Sequence, residues 1–68
     1  MSMELVVNGE PKQFDGPLTA ADLLALLDLD PRAVVVELNR RIVRRPELDA
    51  TPLGSGDQVE LVHFVGGG

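Results

Sequence analysis

One group in this sequence is placed for covalent chemistry: the carboxyl of Gly68, at the end of Val65-Gly66-Gly67-Gly68. A carboxylate is ionised at neutral pH and is a poor electrophile. It becomes an acyl donor only after a partner activates it, as in an acyl-adenylate. Glycine suits that step, because it has no Cβ to hinder attack and no stereocentre to racemise. Three consecutive glycines lose more backbone freedom on ordering than any other residues, so a mobile tail is expected. Extended at about 3.3 Å per residue, residues 65–68 reach roughly 13 Å, enough to enter a partner's active site while the body stays outside. Gly66 and Gly67 would let a narrow channel close around the backbone.

The rest of the composition excludes most other chemistries. The 68 residues contain no cysteine and one histidine, His63. There is thus no disulfide, no thiolate metal site and no thiol nucleophile. Any sulfur chemistry must use sulfur that is not the protein's own. No pair of general acid and base stands out, so the chain does not read as an enzyme. Net charge is −5, which argues against general binding to phosphate backbones and suits a partner with a basic surface. No window approaches the roughly 20 apolar residues of a membrane span, and no signal-peptide pattern is present, so a cytoplasmic location is expected.

A tail is useful only on a body that aims it. Gln58-Val59-Glu60-Leu61-Val62-His63-Phe64-Val65 reads as the strand that delivers it, with Val59 and Leu61 on one face and Glu60 and Val62 on the other. Met3 to Val7 reads as an opening strand with Met3, Leu5 and Val7 inward, and Asn8-Gly9 is a strong hairpin signal. Lys12 to Asp15 would return, after an irregular or edge start at Pro11, with Phe14 as core anchor. Thr19 with Asp22 has capping-box spacing, and Leu18 with Leu23 matches a hydrophobic staple. Ala20, Leu23, Leu24 and Leu27 then form the buried stripe of a helix, widened by Leu26. The helix is expected to stop near Asp28, because Pro31 disfavours helix at Asp30. Val34 to Leu38 is a further strand with Val34, Val36 and Leu38 inward and Val35 and Glu37 outward. Asn39-Arg40 turns into a short strand, Ile42-Val43, ended by Pro46. Residues 47–53 read as a connecting loop with room for one helical turn and with Leu53 plugging the core, and Gly54-Ser55-Gly56-Asp57 launches the last strand.

The order β-β-α-β-(β)-β predicts an α+β fold: a mixed sheet of four to five strands with one main helix packed on one face. First and last strands pair in parallel at its centre. This is the β-grasp arrangement, expected over residues 1–65 with residues 66–68 as a flexible tail. Val62 and Phe64 should point away from the helix, beside Val35, as a small apolar partner surface next to the tail. Arg40, Arg41, Arg44 and Arg45, four of the six basic residues, read as a solvated hairpin, with docking to an acidic partner or nucleotide as the competing reading. His63 reads as a strand residue.

These residues carry a resemblance over essentially the whole chain. With Asn8-Gly9, Thr19 before Leu23-Leu24, Val34 to Asn39, Ile42-Val43 and above all Gly56-Asp57-Gln58-Val59-Glu60-Leu61-Val62-His63-Phe64-Val65-Gly66-Gly67-Gly68, the chain resembles the ubiquitin-like sulfur carriers, most closely those of thiamine biosynthesis. Asn39-Arg40 departs from the Asn-Gly of many members and implies a different turn. The resemblance implies that a ThiF-type adenylyltransferase uses ATP and magnesium to adenylate Gly68, so that neither is a cofactor of this chain. Sulfur from a desulfurase system then displaces AMP, and thiazole synthase (ThiG) receives it from the thiocarboxylate. It also implies a monomer when free. The sister carriers of molybdopterin synthesis and tRNA thiolation, a protein-conjugation carrier and a non-covalent β-grasp binding module are the alternatives.

Overall fold

The structure, a computed structural model, describes residues 2–63. Strand β1 (Ser2–Val7) turns into β2 (Glu10–Asp15), and a two-residue strand β3 (Leu18–Thr19) leads into helix α1 (Ala20–Leu26). Strands β4 (Val34–Leu38) and β5 (Arg41–Val43) form a second hairpin. A 3-10 helix (Arg45–Ala50), a short β6 (Pro52–Leu53) and β7 (Gln58–His63) complete the order. The main sheet runs β2-β1-β7-β4-β5, with β1 and β7 parallel and every other pair antiparallel. β3 and β6 pair separately, Leu18 with Leu53.

Both hairpins are two-residue turns whose central residues have positive φ, Asn8 at 50° with Gly9 at 82° and Asn39 at 51° with Arg40 at 72°. This is the type I′ geometry, whose twist matches that of the flanking strands. The Asn39-Arg40 turn is therefore the same kind of turn as Asn8-Gly9, not a different one. Pairing of Leu38 with Arg41 leaves only two residues to reverse the chain, and arginine is held where glycine would be at ease.

β2 begins at Glu10, two residues earlier than expected, and runs through Pro11. The Val6 N–H donates to the Asp57 carbonyl on the β7 side at 3.0 Å, so Val6 and Pro11 face each other as a pair that exchanges no backbone bonds. The proline ring then points off the sheet edge, where its missing donor costs nothing.

α1 begins as expected. Thr19 accepts from the Asp22 N–H at 3.1 Å and the Asp22 carboxylate accepts from the Thr19 N–H at 2.9 Å. Its end has a different cause from the one Pro31 implied. Asp28 adopts a left-handed φ of 59°, its N–H reaches the Ala25 carbonyl at 3.1 Å, and the Leu29 N–H reaches the Leu24 carbonyl at 2.9 Å. Those two bonds are a Schellman stop with Asp28 in the glycine position. Leu26 does not widen the buried stripe and is 61 % exposed. At roughly 100° per residue it lies about 110° from the centre of the Ala20, Leu23, Leu24 and Leu27 stripe.

The core lies between α1 and one face of the sheet. Leu5, Val7, Val34, Val36, Val59 and Leu61 rise from the strands to meet Ala20, Leu23 and Leu24, with Leu18, Leu48 and Leu53 closing one side. Leu53 plugs the core as expected, whereas Phe14 and Leu38 are only partly buried at its margin. Leu48 belongs to the core because the helical turn in the connecting segment, a 3-10 helix, turns this leucine inward.

Candidate functional site

The strand that leads to the glycine tail sits at the centre of the sheet. β4 pairs with it from Leu38 opposite Val59 to Val34 opposite His63. β1 pairs with it only through Val6 opposite Gln58 and Val7 opposite Val59. Its start is fastened by side chains. The Asp57 carboxylate accepts from the Gly54 N–H at 2.7 Å and from Asn39 Nδ2 at 3.1 Å, while Asn39 Oδ1 accepts from the Gln58 N–H at 2.9 Å. Farther along, Asn8 Oδ1 accepts from the Leu61 N–H at 2.7 Å and Asn8 Nδ2 donates to the Leu61 carbonyl at 3.3 Å. Sequence reasoning took both asparagines as turn residues only.

The sheet face away from α1 carries the expected apolar patch. Val62 lies directly opposite Val35 and is 53 % exposed, and Val35 is half-buried. Cross-strand neighbours of this kind sit about 4.5–5.5 Å apart between Cβ atoms, so the two valines form one contact surface. Ile42, which sequence reasoning placed in a strand without a surface role, extends it. It faces Glu37, one diagonal step from Val35, and is 65 % exposed. The period-2 pattern held the signal, because Ile42 pairs with an outward residue. Glu37 and Glu60 also face each other on this side, so the patch has an acidic margin. Phe64, Gly66, Gly67 and Gly68 lie outside the described residues.

Arg40, Arg41, Arg44 and Arg45 are exposed on and after the β4–β5 hairpin. The one ion pair among the described residues is elsewhere, between Arg32 and Asp30 at 3.0 Å. Its guanidinium, together with the Arg32 N–H, holds the Asp30 carboxyl below its ordinary value of 3.8. His63 is exposed at the end of β7, opposite Val34. Among the described residues no group of three His, Asp or Glu side chains converges to hold a metal ion, and no helix is long and apolar enough to cross a membrane.

Comparison with known proteins shows the family of this chain and its fold. The sulfur carrier protein ThiS of Bacillus subtilis is 42% identical over 50 residues, covering 74% of this chain and 76% of its own. The crystal structure of a thiamine biosynthesis protein (ThiS) from Geobacter metallireducens superposes with a TM-score of 0.84 at 42% identity, over 97% of this chain and 100% of that one. This kinship identifies the mixed sheet and its single helix as the ubiquitin-like β-grasp fold. A thiazole synthase of Paramagnetospirillum magneticum is 41% identical over 66 residues, which is 97% of this chain but 20% of that protein. This chain therefore spans about a fifth of the thiazole synthases it matches. The ThiS family model matches residues 5–68, and the chain belongs to the ThiS family.

Proposed function

We propose that this protein is the sulfur carrier of thiamine biosynthesis and that it holds sulfur as a thiocarboxylate on Gly68. The observation that carries the reading is the ThiS family match, which extends through Gly66, Gly67 and Gly68. The relationship to carriers named for thiamine biosynthesis favours this over molybdopterin synthesis or tRNA thiolation.

The chain acts as a co-substrate of partner enzymes. A ThiF-type adenylyltransferase binds ATP and magnesium, and a Gly68 carboxylate oxygen attacks the α-phosphorus, releasing pyrophosphate. The terminal sulfur of a persulfide from a desulfurase system then adds to the Gly68 carbonyl carbon, and AMP leaves with the carboxylate oxygen it had captured. A thiol cleaves the resulting acyl disulfide to the thiocarboxylate with formation of a disulfide. The thiocarboxylate passes its sulfur to thiazole synthase. Kinship with segments of much longer thiazole synthases supports that pairing. The body docks through Val35, Val62 and Phe64, with Ile42 at the edge, and Gly66 and Gly67 thread the channel to the reacting carbon.

The test is intact mass after incubation with ATP, the adenylyltransferase and a sulfur source. The expected result is a gain equal to replacing one oxygen by sulfur, confined to the C-terminal peptide and absent without ATP or after removal of Gly68. Thiazole synthase and its substrates should reverse it. An unchanged mass with the cognate adenylyltransferase would overturn the carrier reading, and a thiocarboxylate that thiazole synthase cannot consume would overturn its assignment to thiamine.

A further inference from the structure

β1 abandons β7 before β7 ends. The last backbone bond between them runs from the Asn8 N–H to the Val59 carbonyl at 2.9 Å, and the chain then turns away through Gly9 into β2. The Asn8 side chain takes over where the backbone leaves. Its Oδ1 accepts from the Leu61 N–H at 2.7 Å and its Nδ2 donates to the Leu61 carbonyl at 3.3 Å, both partly buried. A carboxamide offers the same acceptor and donor as a peptide group. Asn8 thus stands in for the strand residue that β1 lacks and holds both backbone groups of Leu61.

The turn geometry alone does not account for this contact. Asn39 occupies the same first position of the same kind of turn, with φ 51° against 50° for Asn8. Its side chain also fastens β7, but at Gln58 and Asp57, the end remote from the tail. The two hairpins thus hold β7 at two different places. Asn8 holds Leu61, two residues before His63 and seven before Gly68, on the edge that β1 has left, while β4 pairs with the other edge through His63.

The geometry points to Asn8 as a positioning residue that holds the edge of β7 left open by β1, and so the base from which the Gly68 carboxyl is delivered. This role rests on the carrier function proposed above. Asn8 touches no reacting atom. Docking of the body belongs to the outer face, so losing the Asn8 contact lowers the fraction of bound complexes with the carboxylate in line and leaves encounter unchanged. A kcat effect with little KM effect is the expected signature.

Asn8→Gly and Asn39→Gly in the full chain make the test, since glycine accepts both left-handed positions. In Asn8→Gly, exchange of the Leu61 amide accelerates about tenfold relative to Val36. The kcat for adenylation falls roughly tenfold to a hundredfold, with KM for the carrier within about twofold. Asn39→Gly lowers stability comparably and leaves kcat at the wild-type value. Asn8→Asp keeps the acceptor for the Leu61 N–H but sets an anion against the Leu61 carbonyl, and its kcat falls as well. A wild-type kcat in Asn8→Gly, or an equal fall in Asn39→Gly, overturns the role of Asn8. A wild-type chain that the enzyme cannot adenylate overturns the carrier reading instead, so the wild-type control separates the two failures.

Discussion

Arg40→Gly should stabilise this protein, and the size of the gain follows from the turn it occupies. Arg40 has φ 72° in a two-residue type I′ turn. A residue with a Cβ in the left-handed region meets the following carbonyl at a cost of roughly 1–2 kcal/mol. Glycine escapes that cost but gives up more unfolded-state entropy, about 0.5–1 kcal/mol. The net gain is about 0.5–1 kcal/mol. For a domain of this size that corresponds to a rise in Tm of about 2–8 °C. Arg40 is exposed and takes part in no ion pair among the described residues, so no side-chain contact offsets the gain. Gly9 supplies the reciprocal experiment, because a Cβ there would meet nothing within 4 Å. Gly9→Arg should lose about what Arg40→Gly gains, through the backbone alone. Urea unfolding is the assay, with the midpoint moving and the slope unchanged. Neutral results for both variants would refute the assignment of strain to these turns. A loss of stability in Arg40→Gly alone would mean that the guanidinium makes a stabilising contact. The same variant also separates the two readings of the four arginines. A solvated hairpin predicts unchanged adenylation, whereas docking predicts a stabler protein with a raised KM.

Three further outcomes follow from the structure. Asp28→Gly relieves the left-handed Asp28 and removes a negative charge from a helix C-terminus, and thermal unfolding should show a gain of about 0.5–1 kcal/mol. Val62→Asp places a charge on an exposed apolar face, so affinity for both partner enzymes, measured by calorimetry, should fall at least tenfold while stability changes by less than about 0.5 kcal/mol. Asp30 is held below its ordinary 3.8 mainly by its side-chain hydrogen bonds with Arg32, so its contribution is complete above the unfolded value and disappears as pH falls through the lower folded one. Asp30→Asn should therefore be slightly less stable than wild type at pH 7, with the difference shrinking as pH falls below 3.8, as read from Tm at each pH.

Where local chemistry and topology agree, the sequence announces the structure. Thr19 with Asp22 is such a place, since a capping box needs no knowledge of the rest of the fold. The alternation of Val59, Glu60, Leu61 and Val62 is another, because period 2 assigns faces wherever the strand sits. The misreadings fall where no residue-type signature marks the local geometry. Arg40 carries no turn signature, yet the pairing of β4 with β5 forces it left-handed. Pro31 marks the helix end in the sequence while Asp28 makes it in the structure, because a Schellman motif without glycine leaves no mark in the sequence. Leu48 has no place in a core read from the sequence, because a single 3-10 turn has too few residues to show which side chain faces inward.

Asn8 is the more instructive case. Its place in a hairpin turn explains it fully, and a sufficient local explanation conceals a second, non-local one. Only the adjacency of β7 gives its carboxamide something to replace. That adjacency was itself predictable, since the crossover through α1 places the last strand beside the first. The two inferences could therefore have been joined. A central strand that outlasts its neighbour has backbone groups to satisfy, and an asparagine at the point of departure is the side chain best able to satisfy a donor and an acceptor together. On the proposed carrier function, such a residue is expected to affect delivery as well as folding.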